Sequence, residues 1–132
     1  MVLTPTYYVF KMYVPFQDAT FVPVKFDAGT YTYSNINLPR IDAIAAKDKT
    51  GKLWLAITNV DPNEPIDLEA SFSGFSAKSA TGQVLTGPKV DSINTFDTPK
   101  AVLAKPISLH VQAGKVALRL EPKSVTVVSV EQ

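Results

Sequence analysis

The stretch Gly51-Lys52-Leu53-Trp54-Leu55-Ala56-Ile57-Thr58-Asn59-Val60-Asp61-Pro62-Asn63-Glu64-Pro65-Ile66-Asp67-Leu68-Glu69-Ala70-Ser71-Phe72 decides the fold. Leu53 to Ile57 is an unbroken apolar run, short enough for a strand covered on both faces. The loop from Asp61 to Pro65 reverses the chain, because Pro62 and Pro65 fix φ and remove ladder donors. Beyond it Ile66, Leu68, Ala70 and Phe72 alternate with Asp67, Glu69, Ser71 and Ser73. A side-chain period of two gives one dry face and one wet face. The two runs together read as an antiparallel hairpin whose dry side another layer must cover.

Outward from this centre, nearly everything after Thr20 reads as strand. Phe21 to Phe26 reads as an edge strand, kept from the middle of a sheet by Pro23. Asp27-Ala28-Gly29 turns into Thr30-Tyr31-Thr32-Tyr33, and Ile41 to Lys47 reaches the central run through Asp48-Lys49-Thr50-Gly51. Ser76 to Leu85 follows, with Gly82 marking a bulge or tight bend. Gly87 to Pro99 reads as a long loop, and extended structure resumes over Ala101 to Ala104 before Pro106. Ile107, Leu109 and Val111 form one alternating strand, and Val116 to Leu120 follows the Ala113-Gly114 turn. The turn Glu121-Pro122-Lys123 leads into a last strand from Val125 to Val130. About nine or ten short strands with no helical pattern between them predict an all-β, antiparallel two-sheet sandwich.

The start of the chain differs. Thr4-Pro5-Thr6 offers a hydroxyl cap with proline at the first helical position, where a missing N–H costs nothing. A helix over Tyr7 to Val14 would set Tyr7, Phe10, Lys11 and Val14 on one side and Val9, Met12, Tyr13 and Phe16 on another. Such a helix is apolar nearly all round and wants burial on two sides. A strand rich in Tyr, Val and Phe is the alternative.

Composition bounds the rest. A chain of 132 residues is one domain, able to bury roughly two-thirds of its unfolded surface without staples. The absence of cysteine excludes disulfides, thiolate metal sites and a cysteine nucleophile, and leaves the compartment open. A net charge of +1, spread without blocks, gives no footprint for nucleic acid or an anionic membrane. No apolar run approaches the ~20 residues of a membrane span, and no signal-peptide layout opens the chain.

Asp61, Glu64, Asp67 and Glu69 are the one local acidic cluster, and glycosidic hydrolysis needs two facing carboxylates. Their placement on a wet strand face and in a proline-bounded turn reads instead as solvated surface. A calcium loop from Asp61, Asn63 and Glu64 lacks the spacing of a recognised motif. His110 stands alone on a polar strand face, so no transition-metal or serine-hydrolase constellation is specified. No cofactor motif is present. Tyr31 and Tyr33, on one face of a short strand, are candidates for stacking on sugar rings, with packing as the plainer role. Trp54, inside the central run, reads as core.

Four segments carry a resemblance. They are Leu3-Thr4-Pro5-Thr6-Tyr7-Tyr8-Val9-Phe10-Lys11-Met12-Tyr13, Gly51 to Asn59, Asn94-Thr95-Phe96-Asp97-Thr98-Pro99 with Val102, and Leu120 to Val127. Together they resemble the C-terminal part of the α-L-arabinofuranosidases of glycoside hydrolase family 51. The first and third segments are the specific ones. The chain departs from the family pattern at Tyr8, where histidine is usual, and near Phe16, where a second histidine is frequent.

The resemblance implies a (β/α)8 catalytic barrel followed by a jelly-roll-like sandwich. Residues 1–18 would then be the barrel's last helix and the junction, and residues 19–132 the sandwich. Catalysis in the family is retaining, through two glutamates on barrel strands that lie outside this chain, so the fragment by itself would not be an enzyme. Tyr7, Phe10, Met12 and Val14 become candidates for packing on the barrel or in an oligomer. The implied partners are the barrel of the same parent chain, further copies of it, and arabinose-containing polysaccharide.

Overall fold

The computed structural model describes residues 1–132. One helix, α1 (Pro5–Tyr13), runs into a single 3-10 turn (Val14–Phe16), and eleven strands follow. These are β1 (Thr20–Val22), β2 (Thr30–Tyr33), β3 (Ile36–Pro39), β4 (Ile41–Lys47), β5 (Leu53–Asn59) and β6 (Ile66–Ala70). The remainder are β7 (Ser79–Leu85), β8 (Lys105–Ile107), β9 (His110–Gln112), β10 (Lys115–Leu120) and β11 (Ser124–Glu131).

Every pairing is antiparallel. A broad sheet has the order β1-β4-β5-β11-β7-β8, a second sheet the order β6-β10-β9, and β2-β3 forms a separate ribbon. The expected all-β sandwich with one N-terminal helix is what the chain forms.

Burial follows strand parity. Leu53, Leu55 and Ile57 of β5, with Val128 and Val130 of β11, face Leu118 and Leu120 of β10 and Ile66 of β6 in the inter-sheet core. The opposite face of the broad sheet contributes Ala56, Val127 and Leu85 to a second, smaller core that Met12 and Val102 complete. The run read as doubly covered is therefore doubly covered, by a sheet on one side and by α1 with a loop on the other.

Four expectations need correction. First, β5 and β6 are not a hairpin. Both edges of β5 are already taken, by β4 and by β11, so the return strand crosses to the second sheet and pairs with β10. The side chain of Asn59, 1% exposed, holds this corner. Its amide donates to the carbonyls of Glu64 and Glu121 at 3.0 Å each, and its oxygen accepts from the Asp61 N–H at 3.0 Å. The alternation of β6 is as read, but alternation names a face and not a partner.

Second, Gly82 makes no bulge. It pairs with Val128 on one side and Ile107 on the other, and a Cβ there would lie 3.2 Å from the Ile107 side chain and from the Val127 carbonyl. Close approach explains the glycine. Third, extended pairing resumes at Lys105 rather than at Ala101, and Pro106 lies inside the edge strand β8. Fourth, the run from Ile107 to Val111 is split between β8 and β9, which belong to different sheets. The ribbon strand β3 goes beyond the strands read from the sequence. Pro23 behaves as expected, since the edge strand β1 ends at Val22 just before it.

Candidate functional site

Helix α1 begins as its cap signal requires. The Thr4 hydroxyl accepts from the Tyr7 N–H at 3.1 Å and Pro5 occupies the first turn. Its inward side carries Met12, 4% exposed, with Tyr8, Val9 and Tyr13 packed around the smaller core. Burial pushes the Tyr13 phenol above its usual range, against the opposing effect of a hydrogen bond with Thr58. The outward side carries Tyr7, Phe10 and Val14, respectively 41%, 74% and 54% exposed. The division into two sides is the one read from the sequence. Met12 parts company with its three fellow candidates, because it is buried against the chain's own sheet.

A second apolar group borders this helix. The segment between β7 and β8 exposes Val90, Ile93 and Phe96. Asn94 fastens it: its amide donates to the carbonyls of Leu3 and Val102, and its oxygen accepts from the Val102 N–H, each at 2.7 Å. Pro5 and Val90 line one shallow cleft. Reasoning from composition passed over these residues, although Asn94, Phe96 and Val102 stand in a segment that carries the resemblance.

The β2-β3 ribbon pairs Tyr31 with Leu38 and Tyr33 with Ile36. Directly opposed residues share a face, so both tyrosines lie beside two aliphatic side chains, with Tyr33, Ile36 and Leu38 exposed. Thr32 and Asn37 bond to each other on the reverse face at 2.7 Å.

The acidic cluster is dispersed into separate structural tasks. Asp61 Oδ1 accepts the N–H groups of Asn63 and Glu64 at 2.9 and 3.0 Å, and Oδ2 lies 3.5 Å from the Arg40 Nε. Burial opposes its charged form, yet these N–H groups and the Arg40 guanidinium hold its carboxyl below the usual carboxylate range. Asp67 pairs with Arg119 and Glu69 with Lys115 on the outer face of the second sheet. His110 is exposed on that same face.

Trp54 is half-buried on the outer side of the broad sheet, and its indole N–H donates to Asp48 Oδ2 at 2.9 Å. The other Asp48 oxygen accepts from the Thr50 hydroxyl and from the N–H groups of Thr50 and Lys52. These bonds, led by the Thr50 hydroxyl and then Trp54, lower its pKa to about 2. Lys52 pairs with Glu131 at 2.9 Å and lies over the Trp54 ring. No group of three or more His, Asp or Glu side chains is placed to hold a metal ion.

Comparison with known proteins completes the picture. The family described as the α-L-arabinofuranosidase C-terminal domain matches residues 1–124. The chain is 34% identical, over 99% of its length, to an intracellular exo-α-L-arabinofuranosidase of Bacteroides ovatus, of which it covers 26%. The GH51 arabinofuranosidase of Xanthomonas axonopodis pv. citri superposes with a TM-score of 0.95 at 32% identity, over 99% of this chain and 27% of that one. The α-L-arabinofuranosidase of Thermotoga maritima does so with a TM-score of 0.81 at 25% identity, over 99% and 30%. The chain thus spans about a quarter of the length of these relatives. By sequence and by fold it belongs to the C-terminal domain family of the GH51 α-L-arabinofuranosidases.

Proposed function

We propose that this chain is a non-catalytic supporting domain, and that its role is to buttress a preceding (β/α)8 catalytic domain. The observation that carries the reading is the one-sidedness of α1. Its inner side completes a core, while Tyr7, Phe10 and Val14 stand outward as an apolar stripe. Exposed apolar stripes on folded domains are interaction surfaces. In this reading residues 1–18 are the barrel's last helix and junction, and residues 19–132 the sandwich. The parent would release terminal α-L-arabinofuranosyl residues from plant polysaccharides by a retaining mechanism, with both glutamates supplied by the barrel. Contacts between copies of the parent would draw on the same apolar surfaces.

The reading is tested by replacing the matched C-terminal region of the Bacteroides ovatus enzyme with this chain. The chimera is expected to keep arabinofuranosidase activity and a single unfolding transition, and Phe10→Asp to split that transition into two. An enzyme equally stable and active with the region deleted would overturn the supporting role.

A carbohydrate-binding role for Tyr31 and Tyr33 is the second reading, favoured by their shared face and the exposure of Tyr33. Ile36 and Leu38 beside them offer no partner to sugar hydroxyls, and binding sites pair apolar surface with placed polar groups. Retardation in an arabinoxylan-containing native gel, lost in Tyr33→Ala, would establish this reading; free migration at high polysaccharide concentration would exclude it.

A further inference from the structure

The turn at Thr95–Thr98 holds an aromatic ring out into solvent. The Thr95 N–H donates to the Thr98 carbonyl at 3.2 Å, the Thr98 N–H donates to the Thr95 hydroxyl at 3.1 Å, and the two hydroxyls lie 3.0 Å apart. Phe96 and Asp97 form the apex, and the Phe96 ring is 87% exposed. A loop that carries a phenyl group by chance has no need of three closing bonds. A ring presented on a rigid turn loses little entropy on docking and behaves as an anchor.

We infer that Phe96 is the anchor by which this domain seats on the polypeptide preceding it, entering an apolar pocket there with a basic residue at its rim for Asp97. The inference rests on the supporting-domain reading above. The occupant follows from where the chain starts. Asn94, adjacent to the turn, donates to the Leu3 carbonyl, so any domain joined ahead of Met1 emerges beside Phe96. A second copy of the chain fits less well. One ring with the three-residue stripe of α1 falls short of the roughly 800 Å² per partner of a stable complex. A tethered domain needs far less, because a short connection supplies an effective concentration of order millimolar.

The chimera described above, complete with its catalytic domain, provides the test. In the 132-residue chain alone Phe96→Ala leaves unfolding unchanged, since the ring is almost wholly in solvent. In the chimera the same change raises hydrogen exchange at the helix α1 and proteolysis at the junction, the opening equilibrium growing roughly thirtyfold as for truncation of an interface hot spot. Thr95→Val with Thr98→Val, which loosens the turn and keeps the ring, gives a smaller increase. If Phe10→Asp opens the chimera and Phe96→Ala does not, the anchor is wrong and the supporting role stands. If neither does, both fall. A dimer of the 132-residue chain that Phe96→Ala abolishes would also overturn the inference, assigning the ring to a second copy.

Discussion

The two faces of the broad sheet are finished to different degrees. Its inner face meets a second sheet and closes a core in which Val116, Leu120, Val128 and Val130 reach 0% exposure. Its outer face meets one nine-residue helix and a loop, which together seal only Met12, Ala56, Leu85, Val102 and Val127. The inner layer ends in charged pairs at the solvent, Asp67 with Arg119 and Glu69 with Lys115. The outer layer ends in Tyr7 and Phe10. A layer whose far side is charged is complete, whereas one whose far side is aromatic expects another.

The sharpest way to break the comparison is to cut into each core. Leu120→Ala in the inner core is expected to cost about 3–5 kcal/mol by urea unfolding, since it leaves a cavity between two rigid sheets. Met12→Ala in the outer core should cost less, about 2 kcal/mol, because α1 can settle inward. Equal losses would mean that the two cores are equivalent. Thr4→Ala removes the cap of α1 and should cost about 1 kcal/mol, with faster hydrogen exchange confined to the first turn of the helix.

Acid probes both faces and gives the mildest effect near neutrality. Asp61 braces the corner between the sheets and Asp48 holds Trp54 on the outer face. Both have folded pKa values below the ordinary 3.8, that of Asp48 at about 2. A depressed carboxylate stabilises the fold above its unfolded pKa, and that contribution disappears as pH falls through the folded one. The melting temperature should therefore hold steady above about pH 4 and decline toward about pH 2, with Asp48→Asn flattening part of the slope. A melting temperature that rises on acidification would contradict the assignment.

Local chemistry made some of this legible from sequence and left the rest hidden. The helix was readable because Thr4 and Pro5 form a cap that acts within one turn, and its two sides followed from the 3.6-residue period. The dry and wet faces of β6 were readable for the same reason. The partner of β6 was not, because it depends on β4 and β11 having already taken both edges of β5. The Asn59 amide, which ties together Glu64 and Glu121, looks like any strand-end asparagine until those segments are brought together. At the candidate site Tyr31 and Tyr33 were correctly placed on one face, but Ile36 and Leu38, which make that face apolar, belonged to a strand the proline at position 39 disguised. Phe96 was visible only inside a recognised segment, since nothing in its composition separates a presented ring from a buried one.

Growth of the broad sheet is checked at both rims. One rim strand, β1, stops after Val22 because Pro23 follows, and the other, β8, is three residues long with Pro106 at its centre. Each proline deletes a donor from a row that would otherwise template a further strand from a neighbouring molecule. A domain that carries sticky aromatic patches can thereby remain dispersed while its chain is being synthesised: its side chains invite a partner, and its backbone declines fibrils.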